Sequence, residues 1–380
     1  MRVLITSLYN GQVSRGAESW AYQIFKYLKR NGLEAKLVQG GSDTPDWVKG
    51  SDDIIIESTP ALDLSNSINA QLVARIRRRL GIHQSDFDER RFRRKVEKHI
   101  LEFEPNIIIP VNPGVVPALR RFISKNSLEA KIIVVGQAGL VRELAAADAF
   151  VALTSRDYDA AKLRYPKIDV FKARSTAANG VDFDLFRRVA PDRDVAAKYS
   201  NLPKPIVLCV SALVEYKRVD LAVRAVRRIE GASLIVLGDG PRRTALNNLI
   251  KTEVPPHRRS HFILLGAVPF AEMPTYYAMC DVFVHPADAT ETTGGVIVEA
   301  MAMGKPVVVN DDPVRREIVG SAGYLVDPTV TSQFSNSIVS AFNSWDSAKK
   351  EAVIEQAKKY SWDNLVEEYI SWFEEVVDSC

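Results

Sequence analysis

Val282-Phe-Val-His285-Pro286-Ala-Asp-Ala-Thr-Glu291-Thr-Thr-Gly294-Gly295-Val-Ile-Val-Glu299-Ala-Met-Ala-Met-Gly304-Lys-Pro306-Val-Val-Val309 is the stretch on which the fold turns. A β-branched run, a paired-glycine turn, an apolar Ala/Met-rich segment closed by Gly304-Lys305-Pro306 and a second β-branched run read as strand, loop, helix and strand, the unit of parallel sheets. Glycine lacks a Cβ and tolerates angles other residues avoid, so a ligand can come close to the N–H groups at Gly294 and Gly295. The helix that follows, through Glu299-Ala300-Met301-Ala302-Met303, would turn its unpaired first amides and positive dipole end towards an anion. Glu299 lies about one turn into it, where an ionised carboxylate accepts paired hydrogen bonds from vicinal hydroxyls such as those of ribose or a sugar ring. Glu291 and Glu299 together suit a polyhydroxylated ligand with a phosphate beside it. The alternative is one solvated glutamate and another satisfied by a helix end.

Outward from this stretch the alternation repeats. Arg2–Thr6 reads as a first strand, followed by a glycine loop and a helix over Glu18–Asn31 that Gly32 stops. Further strands are expected at Ala35–Val38, Asp53–Glu57, Ile107–Val111, Ile132–Val135 and Ala149–Leu153. After Asn179-Gly180 the pattern restarts at Ile206–Val210, Ser233–Leu237, His261–Leu265, Val282–His285 and Val307–Val309, and Trp362–Val377 is a last amphipathic helix. The expected class is α/β, two doubly wound halves. In such sheets ligands sit beyond the carboxyl ends of the strands. Gly16-Ala17 follows the first strand of the first half, Lys217 the first strand of the second and Glu291 its fourth, so these loops are expected to converge on a cleft between the halves.

At 380 residues two ordinary domains are expected, each able to bury a core. A content of 46% hydrophobic and 26% charged residues suits a soluble globular protein. No apolar run approaches the roughly 20 residues of a spanning helix and the amino end leads straight into a strand, so a cytoplasmic location is expected. Cys209, Cys280 and Cys380 are too few and scattered for a disulfide framework or metal site, and Cys209, inside Ile206–Val210, reads as core. A net charge of +3 without aromatic interleaving argues against nucleic acid. Asp157-Tyr-Asp159, Asp182-Phe-Asp184 and Asp192-Arg-Asp194 spell Asp-x-Asp, but none follows a strand as metal chemistry requires. His257 and His261 have i, i+4 spacing yet flank Arg258-Arg259 and read as loop residues. For His285, at a strand end, a role beside a ligand and simple packing both stay open. Asn10–Gly16 lacks the Gly-x-Gly-x-x-Gly of dinucleotide oxidoreductases.

The run from Glu291 to Glu299 resembles the Glu-x7-Glu motif of the retaining glycosyltransferases called family 4, and further markers follow in the family's order. Asp281-Val-Phe-Val-His285-Pro286, Val307-Val-Val309 and Gly323-Tyr-Leu-Val-Asp327-Pro328 resemble its strands and next marker, and Val236-Leu-Gly238-Asp239-Gly240-Pro241 with Leu265-Gly266-Ala-Val268 its upstream segments. Asn179-Gly180-Val181-Asp182 is similar to its interdomain segment, and Arg15-Gly16-Ala17-Glu18 to its N-terminal glycine loop. The resemblance implies the GT-B architecture, two facing Rossmann-like domains with an interdomain cleft. Residues 1–182 with 361–380 would take the acceptor and residues 183–360 the nucleotide sugar, the last helix crossing back to the first domain. It implies transfer of a hexosyl group from a UDP- or GDP-linked sugar to a glycan, glycolipid or small hydroxyl acceptor, with retention and without a metal or other cofactor. Lys217, in Val210-Ser-Ala-Leu-Val-Glu-Tyr-Lys217-Arg218, matches the lysine that meets charge growing on the β-phosphate. Glu299 would hold the ribose hydroxyls, and the backbone near Ala267-Val268 the base. Gly16, Ala17 and Thr293 would line the donor, and Glu291 with the amides of Gly294, Gly295 and Val296 would orient the transferred sugar. The family's favoured route is front-face attack, the leaving phosphate taking the acceptor's proton, so no protein nucleophile is expected.

Three departures bear on this. Ser211-Ala212 stands where Gly-Arg is usual, which removes one of two phosphate cations; Arg218 is the candidate replacement. Gln137, in Gly136-Gln137-Ala138-Gly139, stands where many relatives carry a histidine, and it can donate to an acceptor's or sugar's hydroxyl but cannot act as a base near neutral pH. Arg15 replaces a first glycine and is a candidate contact for a phosphate or anionic acceptor, a solvated loop arginine being the alternative. From Arg75 to Lys98 the chain is least like the family and most basic. An anionic glycan, a phosphate-bearing acceptor or the inner membrane face would be attracted there, against the alternative of a solvated helix face with Glu89 and Glu97 as partners. Two other classes remain open: a sugar-nucleotide-binding protein with little transferase activity, and a sugar-nucleotide epimerase of the same architecture.

Overall fold

Strands that read as unbroken apolar runs belong in parallel sheets covered on both faces, and the computed structural model places them so. It describes residues 1–8, 16–40, 51–57, 84–136, 139–172, 180–187, 190–291 and 294–379. The chain divides into one unit of Met1–Arg174 with Val366–Cys380 and a second of Ser175–Leu365. Val181 and Asp182 fall in the second, where Val181 exchanges backbone hydrogen bonds with Tyr360 and Trp362.

The first unit is a seven-stranded parallel sheet of order β3-β2-β1-β4-β5-β6-β7. Its strands are β1 (Arg2–Ser7), β2 (Glu34–Gln39), β3 (Ile54–Ile56), β4 (Ile107–Pro110), β5 (Lys131–Val135), β6 (Ala149–Ala152) and β7 (Asp169–Lys172). The helix Gly16–Arg30 ends in a Schellman turn, with Leu33 N–H on the carbonyl of Leu28 and Gly32, at φ 80°, on that of Lys29. The carboxyl-terminal helix Trp362–Asp378 begins in the second unit and continues in the first, where Tyr369 meets Trp20 edge-on at 6.0 Å. Among the described residues no helix is long and apolar enough to cross a membrane.

The second unit is a six-stranded parallel sheet of order β10-β9-β8-β11-β12-β13, formed by β8 (Ile206–Val210), β9 (Ser233–Leu237), β10 (Phe262–Gly266), β11 (Val282–His285), β12 (Val307–Asn310) and β13 (Tyr324–Val326). Alternate residues feed opposite cores. Ile206, Leu208 and Val210 pack with Tyr277, Ile297, Met301 and Ile318 on one face, while Val207 and Cys209 pack with Val223, Leu246, Phe334 and Ile338 on the other. The edge strands β7 and β13 were not anticipated. Each is short and contacts a sheet neighbour on one side only, so neither needs the long apolar run that marks a central strand.

At the carboxyl ends the loops interlock through their backbones. Ser211 N–H donates to Leu237 O, Leu213 N–H to Asp239 O and Gly238 N–H to Gly266 O. Gly238 sits at φ 123°, and a Cβ there would lie 2.0 Å from Ser211 O. Both terms oppose a side chain. Gly238→Ala is therefore expected to cost at least about 3 kcal/mol, read as a lowered melting temperature; an unchanged one would show that the loops are free to part.

Candidate functional site

Strand order in the second sheet reverses at β8, which pairs with β9 on one side and β11 on the other. Connections leave such a point in opposite directions, and the loops after the two central strands part around a crevice. After β8 comes a turn of 3-10 helix, Glu215–Lys217, then Arg218 in left-handed backbone at φ 51°, then the helix Val219–Val226. After β11, Asp288 N–H donates to Tyr216 O at 2.9 Å and joins the two loops. Asp288 Oδ1 accepts from the Thr290 amide and hydroxyl, an Asx turn closing just before Glu291.

Glu291 is only 7% exposed and carries two cations. Lys217 Nζ donates to Oε1. Arg315, fully buried on the helix Pro313–Val319, donates from Nη2 to Oε2 at 3.1 Å and from Nη1 to the Glu291 carbonyl at 2.9 Å. Asp312, the N-cap of that helix, accepts from the amides of Val314 and Arg315 and lies 3.2 Å from Arg315 Nη1. Buried charges are tolerated when paired, and here Lys217 and Arg315 balance Glu291 and Asp312.

His285 Nε2 lies 3.2 Å from Glu291 Oε2. The two do not align as a hydrogen bond, and neither ring nitrogen has a partner among the described residues. Burial, reinforced by the positive charges of Lys217 and Arg315, holds its pKa well below the usual histidine value. His285 is thus neutral and no ion pair forms, despite the short separation.

Glu299 lies on the helix Gly295–Ala302, and its Oε2 accepts from the buried Tyr277 hydroxyl at 2.7 Å. Burial pushes its carboxyl up to about 7, against the opposing pull of the Tyr277 hydrogen bond. The residue as a whole is only half-buried; its carboxyl group is the part packed against protein, and that local environment sets its proton affinity. The sequence reading of the glycines needs one correction. Gly294 is the helix N-cap at φ −137° and does not use left-handed backbone; a Cβ there would lie 2.9 Å from Ile318 Cδ1, so a side chain would have to displace the tip of Ile318. Gly295 and Val296 open the helix, where first-turn amides lack partners within it.

Of the other candidates, Arg218 acts electrostatically on two carboxylates. Asp288 is held below the usual range by the Thr290 hydroxyl first and Arg218 after it, and Asp327 by the Thr329 hydroxyl first and Arg218 after it. Ala267, exposed, and Val268 follow β10 at the carboxyl edge of the same sheet. Gly16 and Ala17 open a helix in the first unit. Arg15, Gln137 and Thr293 lie outside the described residues. So does the basic stretch before residue 84; beyond it, Arg93 pairs with Glu97, Lys95 with Glu57 and Lys98 with Glu102. Asp182 and Asp192 each accept from amides two and three residues on. Burial pushes the thiols of Cys209 and Cys280 up to about 12, which leaves them unreactive near neutral pH. Sequence reasoning missed Arg315, Asp312 and Tyr277. Asp312-Pro313, a cap followed by proline at the first helical position, could have marked the helix start that carries Arg315.

Residues 204–344 match the family described as Glycosyl transferases group 1. A GDP-mannose-dependent alpha-(1-6)-phosphatidylinositol monomannoside mannosyltransferase of Mycolicibacterium smegmatis is 34% identical over 166 residues, 40% of this chain and 42% of that protein. The sulfoquinovosyl transferase SQD2 of Arabidopsis thaliana is 27% identical over 210 residues, 51% of this chain and 40% of that one. The chain thus spans about two fifths of the length of these curated relatives. Among solved structures, a sucrose-phosphate synthase from Thermosynechococcus elongatus superposes over 100% of both chains with a TM-score of 0.75 at 18% identity. HepE of Anabaena, in complex with UDP and glucose, covers 98% of this chain and 99% of its own with a TM-score of 0.71 at 17% identity. The chain has, in sum, the GT-B fold of glycosyltransferases, with the Glycosyl transferases group 1 match lying wholly in its second unit.

Proposed function

We propose that the chain is a retaining glycosyltransferase that moves a hexosyl group from a UDP- or GDP-linked sugar to a glycan, glycolipid or small hydroxyl acceptor, without a metal. The observation that carries this reading is the meeting of Lys217 with Glu291 at the switch point of the second sheet, with Glu299 on the helix that opens next. A departing nucleoside diphosphate concentrates charge on its β-phosphate, and Lys217, Arg218 and the first amides of the helix Gly295–Ala302 are groups suited to meet it. Glu299 takes the ribose hydroxyls, the backbone at Ala267-Val268 the base, and Glu291 the transferred sugar. The bond from the anomeric carbon to the phosphate oxygen breaks as the acceptor oxygen bonds from the same face, and the acceptor's proton passes to that phosphate oxygen. Glu291, tied to two cations, is a poor nucleophile. The first unit takes the acceptor, and the basic stretch Arg75–Lys98 draws an anionic or lipid-linked one to it at the membrane's inner face. The names of the mannosyltransferase relatives make GDP-mannose the first donor to try.

The test is incubation with a panel of UDP- and GDP-sugars and simple acceptors. Release of nucleoside diphosphate from at least one donor is expected, with the product's anomeric configuration retained by NMR and with EDTA changing the rate by less than about twofold. Binding of no donor by calorimetry would overturn the reading; binding without turnover would replace it with a sugar-nucleotide-binding protein.

A further inference from the structure

We infer that Arg315 is a positioning residue for Glu291, holding its carboxylate in place so that Lys217 can leave it for the donor's diphosphate; the inference rests on the donor reading above. Arginine is rarely kept fully buried without defined partners. The guanidinium of Arg315 is committed at both ends, to Asp312 Oδ2 at 3.2 Å and to the carbonyl and Oε2 of Glu291 at 2.9 and 3.1 Å. A planar fork anchored on backbone and carboxylate together fixes the orientation of the carboxylate, which a single ammonium cannot do. Lys217 holds the other oxygen, Oε1. Of the two cations only Lys217 is reachable, with 15% of its side chain exposed against 0% for Arg315, and it sits on a flexible stem.

An arriving diphosphate therefore competes for Lys217 alone. When Lys217 turns to the phosphate, Arg315 keeps Glu291 in place, and the freed Oε1 can accept a hydrogen bond from a hydroxyl of the transferred sugar. The site's cations thus divide their work: one exchanges carboxylate for phosphate, the other never moves. Ala212, where a second phosphate cation was expected, is not replaced by Arg315, which is fully buried with both Nη groups turned to Glu291 and Asp312.

The experiment uses the full chain and a donor it turns over. Arg315→Lys, with a melting temperature within a few degrees of the unmodified protein, is expected to lower kcat about tenfold while the donor KM and the affinity for the nucleoside diphosphate alone change less than about twofold. In a Glu291→Gln background the same substitution is expected to change kcat less than about twofold, because no carboxylate remains to be held. Equal losses in both backgrounds would mark a purely structural role and overturn the inference, as would undiminished turnover. Should Arg315→Lys fail to fold, Asp312→Asn replaces it. The amide oxygen keeps the helix cap while the charge facing Arg315 is lost, and a fall in kcat of about threefold is expected only where Glu291 is intact; no fall overturns the inference. Failure of the unmodified chain to turn over any donor would sink the donor reading and this inference together, whereas the variant outcomes bear on Arg315 alone.

Discussion

Lys217→Ala is expected to lower transfer about a thousandfold while leaving the protein folded. The size follows from the proposed role: a fixed cation aimed at charge that grows as the leaving group departs is worth about two to three orders of magnitude in turnover. The fold should survive because Glu291 keeps Arg315, so no buried carboxylate is stranded. Arg218→Ala is expected to lose as much, if Arg218 supplies the cation missing at Ala212. Steady-state kinetics with the preferred donor, alongside thermal melts, reads both. Turnover of Lys217→Ala within about tenfold of the unmodified enzyme would remove the lysine from the chemistry, and unchanged turnover of Arg218→Ala would reject its part.

Donor binding is expected to release a proton from Glu299. Its carboxyl titrates at about 7 in the unliganded protein, chiefly through burial. Ribose hydroxyls are donors and bond the ionised form, so binding must lower that pKa. At a pH of about 6 the release should approach one proton per nucleotide and at about 8.5 it should vanish, with affinity weakening as pH falls below about 7. Calorimetry in buffers of different ionisation enthalpy measures the release directly. Glu299→Gln should abolish it and weaken binding by about tenfold or more; a proton release that persists in Glu299→Gln would assign it to another group. The same shift bears on stability with a definite sign. The folded pKa lies above the ordinary carboxyl value of 4.5, so Glu299 favours the folded state below pH 4.5 and that contribution, at most about 3 kcal/mol, is lost as pH rises through about 7. A bound nucleotide offsets the loss.

Much of the site was legible because its signals are local. Glu291, Glu299 and the helix between Gly295 and Ala302 lie within one short stretch, and Lys217 follows a strand that its β-branched run announces. The meaning of individual residues was less legible. Gly294 read as a residue using backbone angles that others avoid; it sits at φ −137°, with Ile318, a side chain from a different helix, close to where a Cβ would stand.

By itself the sequence determined the α/β class, the two sheets with their central strands, and the loops that carry the acids and the lysine, because periodicity and turn chemistry act between residues a few positions apart. Only the tertiary structure decided that Glu291 is shared by Lys217 and Arg315, that His285 is buried neutral beside them, and that burial raises Glu299 to about 7 against the pull of the Tyr277 hydrogen bond. Those properties depend on burial and on charges brought together from distant positions, as Lys217 and Glu291 are across 74 residues. Desolvation and Coulomb interaction follow distance in space, which the order of residues along the chain does not reveal.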